Sequence, residues 1–305
     1  MPDLYLAATP YFGWDLVRVV QELFRYAFMQ HAFEAGTMVA ISAGVIGYFV
    51  VLRGLSFAAH ALSHIGFAGA TGAVLTGTAP IVGLLVFTMS AGAVMGALGQ
   101  RLRGRDVTIG LVMAWSLGLG LLFTRLYKGS ANLAIGILFG QIFGITTQDV
   151  ALTFVAGAVT VLLVLAVYRP LLFATLDEEV AEAKGVPVRA LSIVFMVVLA
   201  VAVSEAVQVV GVLLIFALIV APAAIAERFT TRPSRGVVLA ALLAVLFTWA
   251  GLTVAYYLPY PVGFFITTIA FWSYILARLA APALTVPRRR GSEILARDEQ
   301  ARHSP

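Results

Sequence analysis

The chain has no cysteine in 305 residues, which excludes thiolate metal sites and structural disulfides and leaves its redox compartment open. Charge is also scarce: Asp, Glu, Lys and Arg make up 11% of the residues, against about 25% in an ordinary soluble domain. Alternating apolar–polar stretches are missing, which argues against a β-barrel. No GxxxxGK[ST] loop is present to cradle a nucleotide phosphate, and neither HExxH nor GxSxG occurs. A metalloprotease, a serine hydrolase and a chain that binds ATP through its own phosphate loop are therefore set aside. If ATP drives this protein, a separate subunit binds it.

What remains is apolar. Hydrophobic residues are 61% of the chain and the mean hydropathy is +0.98. Uninterrupted apolar runs of ~20 residues, enough to cross ~30 Å of hydrocarbon as a helix, recur along the whole length. The expected fold is an all-α, polytopic transmembrane helix bundle of about eight or nine spans. Spans are placed at 33–52, 57–77, 80–99, 109–125, 150–168, 190–226 (one broken helix or two short ones), 236–258 and 262–281. Ser130 to Ile145 is short and glycine-dotted, and reads as a re-entrant or membrane-surface element. Trp14 to His31, with Arg18, Gln21, Glu22 and Arg25 breaking an apolar face, reads as an amphipathic helix at the bilayer surface. The organisation expected is an N-terminal segment 1–31, a membrane domain 32–286 and a basic tail 287–305.

The pI near 9.7 raises nucleic acid as a partner, but the basic residues stand at the ends of apolar runs, where they set orientation. Arg101, Arg103 and Arg105 fill one loop. Arg169, Lys184 and Arg189 bracket a second, Arg228, Arg232 and Arg235 fill a third, and the tail carries five more. Putting these in the cytoplasm leaves Arg18, Arg25, Arg125 and Lys128 outside, out of twenty Lys plus Arg. That choice makes the C-terminus cytoplasmic and, with nine spans, the N-terminus external.

Three features carry chemistry. His60 and His64 are spaced i, i+4, so they share one helix face and two neutral imidazoles there can ligate one divalent cation. The bland reading is that both hydrogen-bond neighbouring backbone, Ser or Thr; ionisable groups inside membrane spans, however, tend to mark transport routes. Glu205 is the other ionisable group deep in an apolar stretch. It is open to three readings: a third metal ligand, a proton site, or a wet carboxylate at a hairpin end. His31 and Glu34 also share a face, near an interface where a solvated pair is expected. Thr175 to Arg189 (TLDEEVAEAKGVPVR) is a long, charged connection. Asp177, Glu178 and Glu179 suit a helix N-terminus and Gly185 suits its end. The segment reads as a short helix across the cytoplasmic mouth, or as a solvated linker.

Three segments resemble the zinc and manganese ABC-transporter permease family. They are Phe49 to Phe57 (FVVLRGLSF) followed by Ala61-Leu62-Ser63-His64 and Gly69; Glu179-Val180-Ala181 with Gly185-Val186-Pro187; and Gln208 to Leu214 (QVVGVLL) continuing to Ala221-Pro222-Ala223-Ala224. Their order and spacing hold over about 30–285. The resemblance implies a type II-like ABC importer permease in a bacterial cytoplasmic membrane, with no catalytic motif or tightly bound cofactor of its own. Its partners would be a second copy of itself, two cytoplasmic ATPase subunits and an extracytoplasmic metal-binding protein, and the cargo Zn(2+) or Mn(2+). It implies that 175–189, with Asp177, Glu178, Glu179, Gly185, Val186 and Pro187, couples to the ATPase. His64 fits the family pattern; His60 stands where relatives commonly carry Asp, and Gln141 where they often carry Asp or Asn. Fewer carboxylates and one more imidazole shift the expected cargo from manganese towards zinc. Two other readings are a metal-chelate or siderophore permease and an ATP-independent, ion-coupled carrier using Glu205.

Overall fold

The computed structural model describes residues 21–98, 105–127, 132–258 and 260–280. Every regular element among them is helical. Twelve α-helices follow in order: α1 Ala27–Leu52, α2 Ser56–Leu75, α3 Pro80–Leu98, α4 Arg105–Leu126, α5 Asn132–Phe139, α6 Thr147–Ala166, α7 Tyr168–Leu176, α8 Glu178–Ala183, α9 Val188–Val210, α10 Val212–Phe229, α11 Pro233–Tyr257 and α12 Val262–Ala280. A single 3-10 turn, Ile142–Gly144, lies between α5 and α6.

Eight of these, α1, α3, α4, α6, α9, α10, α11 and α12, are long and apolar enough to cross a membrane. Helix α2 is less apolar because it carries both histidines. At 20 residues it still rises about 30 Å, and it packs against α3, α4, α9 and α10. The polar helix is thus wrapped by the apolar ones. Helix α1 holds the centre of the other half, against α6, α9, α10 and α11. The outward faces of α4 and α6 are aliphatic and aromatic, with Val107, Leu111 and Trp115 on one and Val155, Val159 and Leu162 on the other. A bilayer is the solvent that such faces match.

With no hydrophobic force between helices inside lipid, close packing through small residues holds the bundle together. Gly69 of α2 and Gly83 of α3 face each other backbone to backbone; a Cβ on either would overlap the other's carbonyl. A second such contact uses backbone freedom as well. Gly140 (φ +78) and Gly211 (φ +86) both sit in the left-handed region that glycine tolerates. The turn after α5 lies against the one-residue break between α9 and α10, again with no room for a Cβ.

Some boundaries depart from those read off the sequence. The first span begins at Ala27, after a turn at 24–26, so Ala27 to His31 belong to it rather than to a surface helix. Met29, Ala32 and Phe33 are buried while Gln30 and Glu34 stay exposed, so this outer turn looks amphipathic in sequence yet is anchored. The stretch 190–226 resolves into two helices split at Gly211, and 130–145 into α5 plus the 3-10 turn. Residues 14–20 of the expected amphipathic helix, Arg101, Arg103, Lys128 and the tail 287–305 lie outside the described residues.

Candidate functional site

The first half of helix α2 buries most of its surface, with one stripe left open. Phe57 is exposed and His60 and His64 are half-exposed, while Ala58, Ala59, Ala61, Leu62, Ser63, Ile65 and Gly66 are buried. The i, i+3, i+7 spacing of these three makes one stripe, so the histidine face is the open face of a helix otherwise surrounded by protein. Their side chains converge: the two Nε2 atoms are 3.3 Å apart and the rings stand at 89° to one another. That separation suits a hydrogen bond from one imidazole to the other. It also matches the edge of a tetrahedron with metal–nitrogen bonds of ~2.0–2.1 Å. Phe216 of α10 packs its ring 4.9 Å from that of His60.

Neither Nδ1 has a hydrogen-bond partner. Ser63 does not help, because its hydroxyl donates to the carbonyl of His60 at 2.7 Å. Resident metal sites usually orient each histidine through its second nitrogen. A pair without that support can offer two nitrogens to a passing ion but does not form a tight cage. Among the described residues no cluster of three or more His, Cys, Asp or Glu side chains is close enough to hold a metal.

Glu205 is not brought to the pair. It lies where α9 meets α1, α3 and α6: its carboxyl adjoins Met38 and Gly157 and lines a cavity with Ile81, Leu85 and Thr153. Within one chain Glu205 does not join the pair as a third ligand: His60 packs on Phe216 of α10, Glu205 lies between α3, α6 and α9, and no three-residue ligand cluster forms among the described residues. The wet reading fails too, since the residue is 4% exposed. His31 is tied to the segment before α6, with Nδ1 3.2 Å from the carbonyl of Ile145 and Nε2 3.4 Å from the hydroxyl of Thr147. Gln141 packs on its own turn, its amide against Gly136, away from the histidines' contacts.

The 175–189 segment is a capped helix. Asp177 is the N-cap of α8, its Oδ1 accepting from the backbone of Val180 at 3.0 Å. At the other end the backbone of Gly185 donates to Glu182 (2.9 Å) and that of Val186 to Ala181 (3.0 Å), which together form a Schellman motif. Gly185, at φ +83, supplies its left-handed residue. Ala181 is fully buried, Glu178 is half-buried, and Glu179 and Glu182 are exposed. The helix is therefore pinned on one side and presents acidic side chains on the other.

An all-helical chain with a converging imidazole pair on one open helix face, and a capped acidic helix between two spans, can now be compared with known proteins. Residues 25–281 match the ABC 3 transport family. The chain is a member of that family. As an ABC 3 transport protein it is a membrane permease subunit rather than an enzyme. A manganese transport system membrane protein, MntC, of Listeria monocytogenes is 30% identical over 264 residues, covering 86% of this chain and 94% of the relative. MntC of Halalkalibacterium halodurans is 29% identical, with 88% and 92% covered. Among solved structures, PsaBC from Streptococcus pneumoniae in complex with a Fab superposes with a TM-score of 0.78 at 27% identity, over 92% of this chain and 99% of that one. A transporter described as of the metal-chelate type, in an inward-facing conformation, shares the fold at a TM-score of 0.70 and 14% identity.

Linear spacing exposes the histidine pair and both ends of α8. It does not expose Phe216 against His60, or the bond of 3.2 Å from the Gln208 amide to Asp149. These partners are far apart along the chain, and no local pattern marks them.

Proposed function

We propose that this ABC 3 family member is the permease subunit of an ATP-binding-cassette importer for a divalent transition-metal ion, and that the ion passes between His60 and His64. The observation that carries the reading is the open stripe on α2. From Ala58 to Gly66 helix α2 is buried by its own subunit except at the two converging imidazoles, which leaves that face available to a second copy and to an ion between them. Two such subunits would offer four imidazole nitrogens. Their missing supporting hydrogen bonds suit transit, which needs binding weak enough to release.

The rest of the machine follows from charge and from the ends of the helices. With nine spans, counting α2, the basic loops and the C-terminus face the cytoplasm by the positive-inside rule. The same side then carries α8, whose exposed Glu179 and Glu182, with the half-buried Glu178, form the surface that an ATPase subunit meets, and Gly185, Val186 and Pro187 complete the turn. The opposite side receives the ion from a metal-binding protein. Closure of the ATPase pair moves α8, and through it the neighbouring spans.

Zinc is the cargo that the donor set favours. Imidazole suits zinc, whereas manganese prefers more oxygen, and the 3.3 Å separation is that of two nitrogens on a tetrahedral ion. Manganese is the second reading, favoured by the names of the relatives. The complex reconstituted in vesicles decides between them: ATPase stimulation should be stronger with zinc, and a stronger response to manganese would overturn the preference. Replacing His60 and His64 together by Ala should abolish uptake with membrane insertion intact. Undiminished uptake would remove the pair from the route.

A further inference from the structure

The proposed route makes no use of Glu205, yet among the described residues it is the one Asp, Glu, Lys or Arg that is buried. Its side chain is 4% exposed and neither carboxyl oxygen has a hydrogen-bond partner. Ser204 beside it is occupied elsewhere. That hydroxyl lies 2.7 Å from the hydroxyl of Thr88 and donates to the carbonyl of Ala200 at 2.8 Å. The carboxyl borders a cavity of about 50 Å³ whose other walls are Ile81, Leu85, Leu152, Thr153, Ala156, Val201 and Gln208. That is room for a few waters at ~10–15 Å³ each, among side chains that are mostly aliphatic.

Among the described residues no cation lines the space around the group. Helix α3 contains no ionisable residue. On α6 the one ionisable residue is Asp149, which is negative. On α9 the other is Arg189, sixteen positions earlier (205 − 189) and so about 24 Å away along the helix. From α1 the neighbour is Met38, which shares with Glu205 the space beside Gly157. A Cβ there would stand 2.9 Å from Oε1 and 2.8 Å from Met38 Cγ. His31, Glu34 and Tyr48, the titratable groups of α1, do not line the cavity. A bare carboxylate in such a place costs several kcal/mol. Calcium or magnesium would want six or more oxygen ligands and zinc four ligands rich in nitrogen or sulfur; one carboxyl, one amide and one hydroxyl supply neither set. A proton needs a single oxygen.

We infer that Glu205 is a proton-binding site, separate from the histidine pair, that exchanges with water at the end of the bundle where α6 begins and α9 ends. The way in is polar. Asp149 at the start of α6 holds Gln208 at 3.2 Å, and Gln208 is one helical turn from Glu205 and lines the same cavity. Asp149 is itself fixed by Thr146, whose hydroxyl donates to it at 2.7 Å. With the proton bound, the carboxyl is neutral and α6 closes on α9 across Gly157. When the proton leaves, a buried charge appears between the two helices and the seam must open to water. This site requires neither the metal nor an ATPase, so its failure would leave the transport reading untouched.

The test uses the full chain in lipid nanodiscs. Infrared spectra near neutral pH should contain the C=O stretch of a buried carboxylic acid that disappears as pH rises. The band should be missing at every pH in Glu205→Gln, which keeps size and neutrality and should insert and fold like the parent. Because the chain has no cysteine, Ala156→Cys is a clean reporter on the cavity wall. Its labelling by a water-soluble maleimide should rise more steeply with pH in the Glu205 background than in Glu205→Gln. Absence of the acid band at neutral pH overturns the inference. So does loss of the band on adding Zn(2+), Mn(2+) or Na(+) at fixed neutral pH, which would make this a metal-ion site. Equal labelling profiles in the two backgrounds would overturn the coupling of the proton to the α6–α9 seam.

Discussion

Replacing Gly185 by alanine perturbs α8 through the backbone alone. The residue sits at φ +83, and a Cβ there would meet no heavy atom within 4 Å. The cost is therefore that of forcing an L-residue into the left-handed region, about 1–2 kcal/mol, with no steric clash added. Helix α8 has six residues, far fewer than the ~12–15 an isolated helix needs. It persists because its two caps and the buried Ala181 hold it, so losing the Schellman turn falls directly on its placement. A loss of one or two kcal/mol lowers the ratio of the native to the displaced arrangement about 5–30-fold, which sets the upper bound on the effect. The affinity of the ATPase subunit for the permease, and ATP-dependent uptake, should drop by up to that factor. Asn tolerates the left-handed region better than Ala, so Gly185→Asn should fall in between. Asp177→Ala attacks the other cap and should cost about 0.5–2 kcal/mol. Unchanged partner affinity in Gly185→Ala would refute the reasoning. Equal impairment of Ala and Asn would do so as well, because it would point to a side-chain clash in the interface rather than to φ.

Two other substitutions probe how the bundle is held. Gly83→Ala drives a methyl into the carbonyl of Gly69 and should cost about 1–3 kcal/mol as overpacking, seen as a lower thermal midpoint in detergent; a wild-type midpoint would mean that α2 and α3 do not approach at these glycines. Thr88→Val removes the 2.7 Å contact with Ser204 and leaves Ser204 its bond to Ala200. A small loss of about 0.6 kcal/mol is expected, and a loss several times larger would show that the pair anchors more than one contact.

The sequence by itself determined the class of protein, most of the spans, the histidine face and the two ends of α8. These are local properties: an apolar run long enough for a bilayer, an i, i+4 spacing, an acidic N-cap and a glycine at a helix end act within one or two helical turns. Tertiary structure alone decided which polar groups meet. It turned His60 and His64 onto the open stripe of α2 and set Phe216 against them. It also took Glu205 away from them, into a cavity among α3, α6 and α9. Gly211 shows the boundary between the two kinds of information. A stretch with apolar residues on both sides of a glycine reads equally well as one broken helix or two. Only the backbone of Gly140, packed against Gly211 with both residues at positive φ, makes it two. Helix periodicity says which face of a segment is apolar; which neighbour covers that face depends on close packing between residues far apart in the chain, and no single segment encodes it.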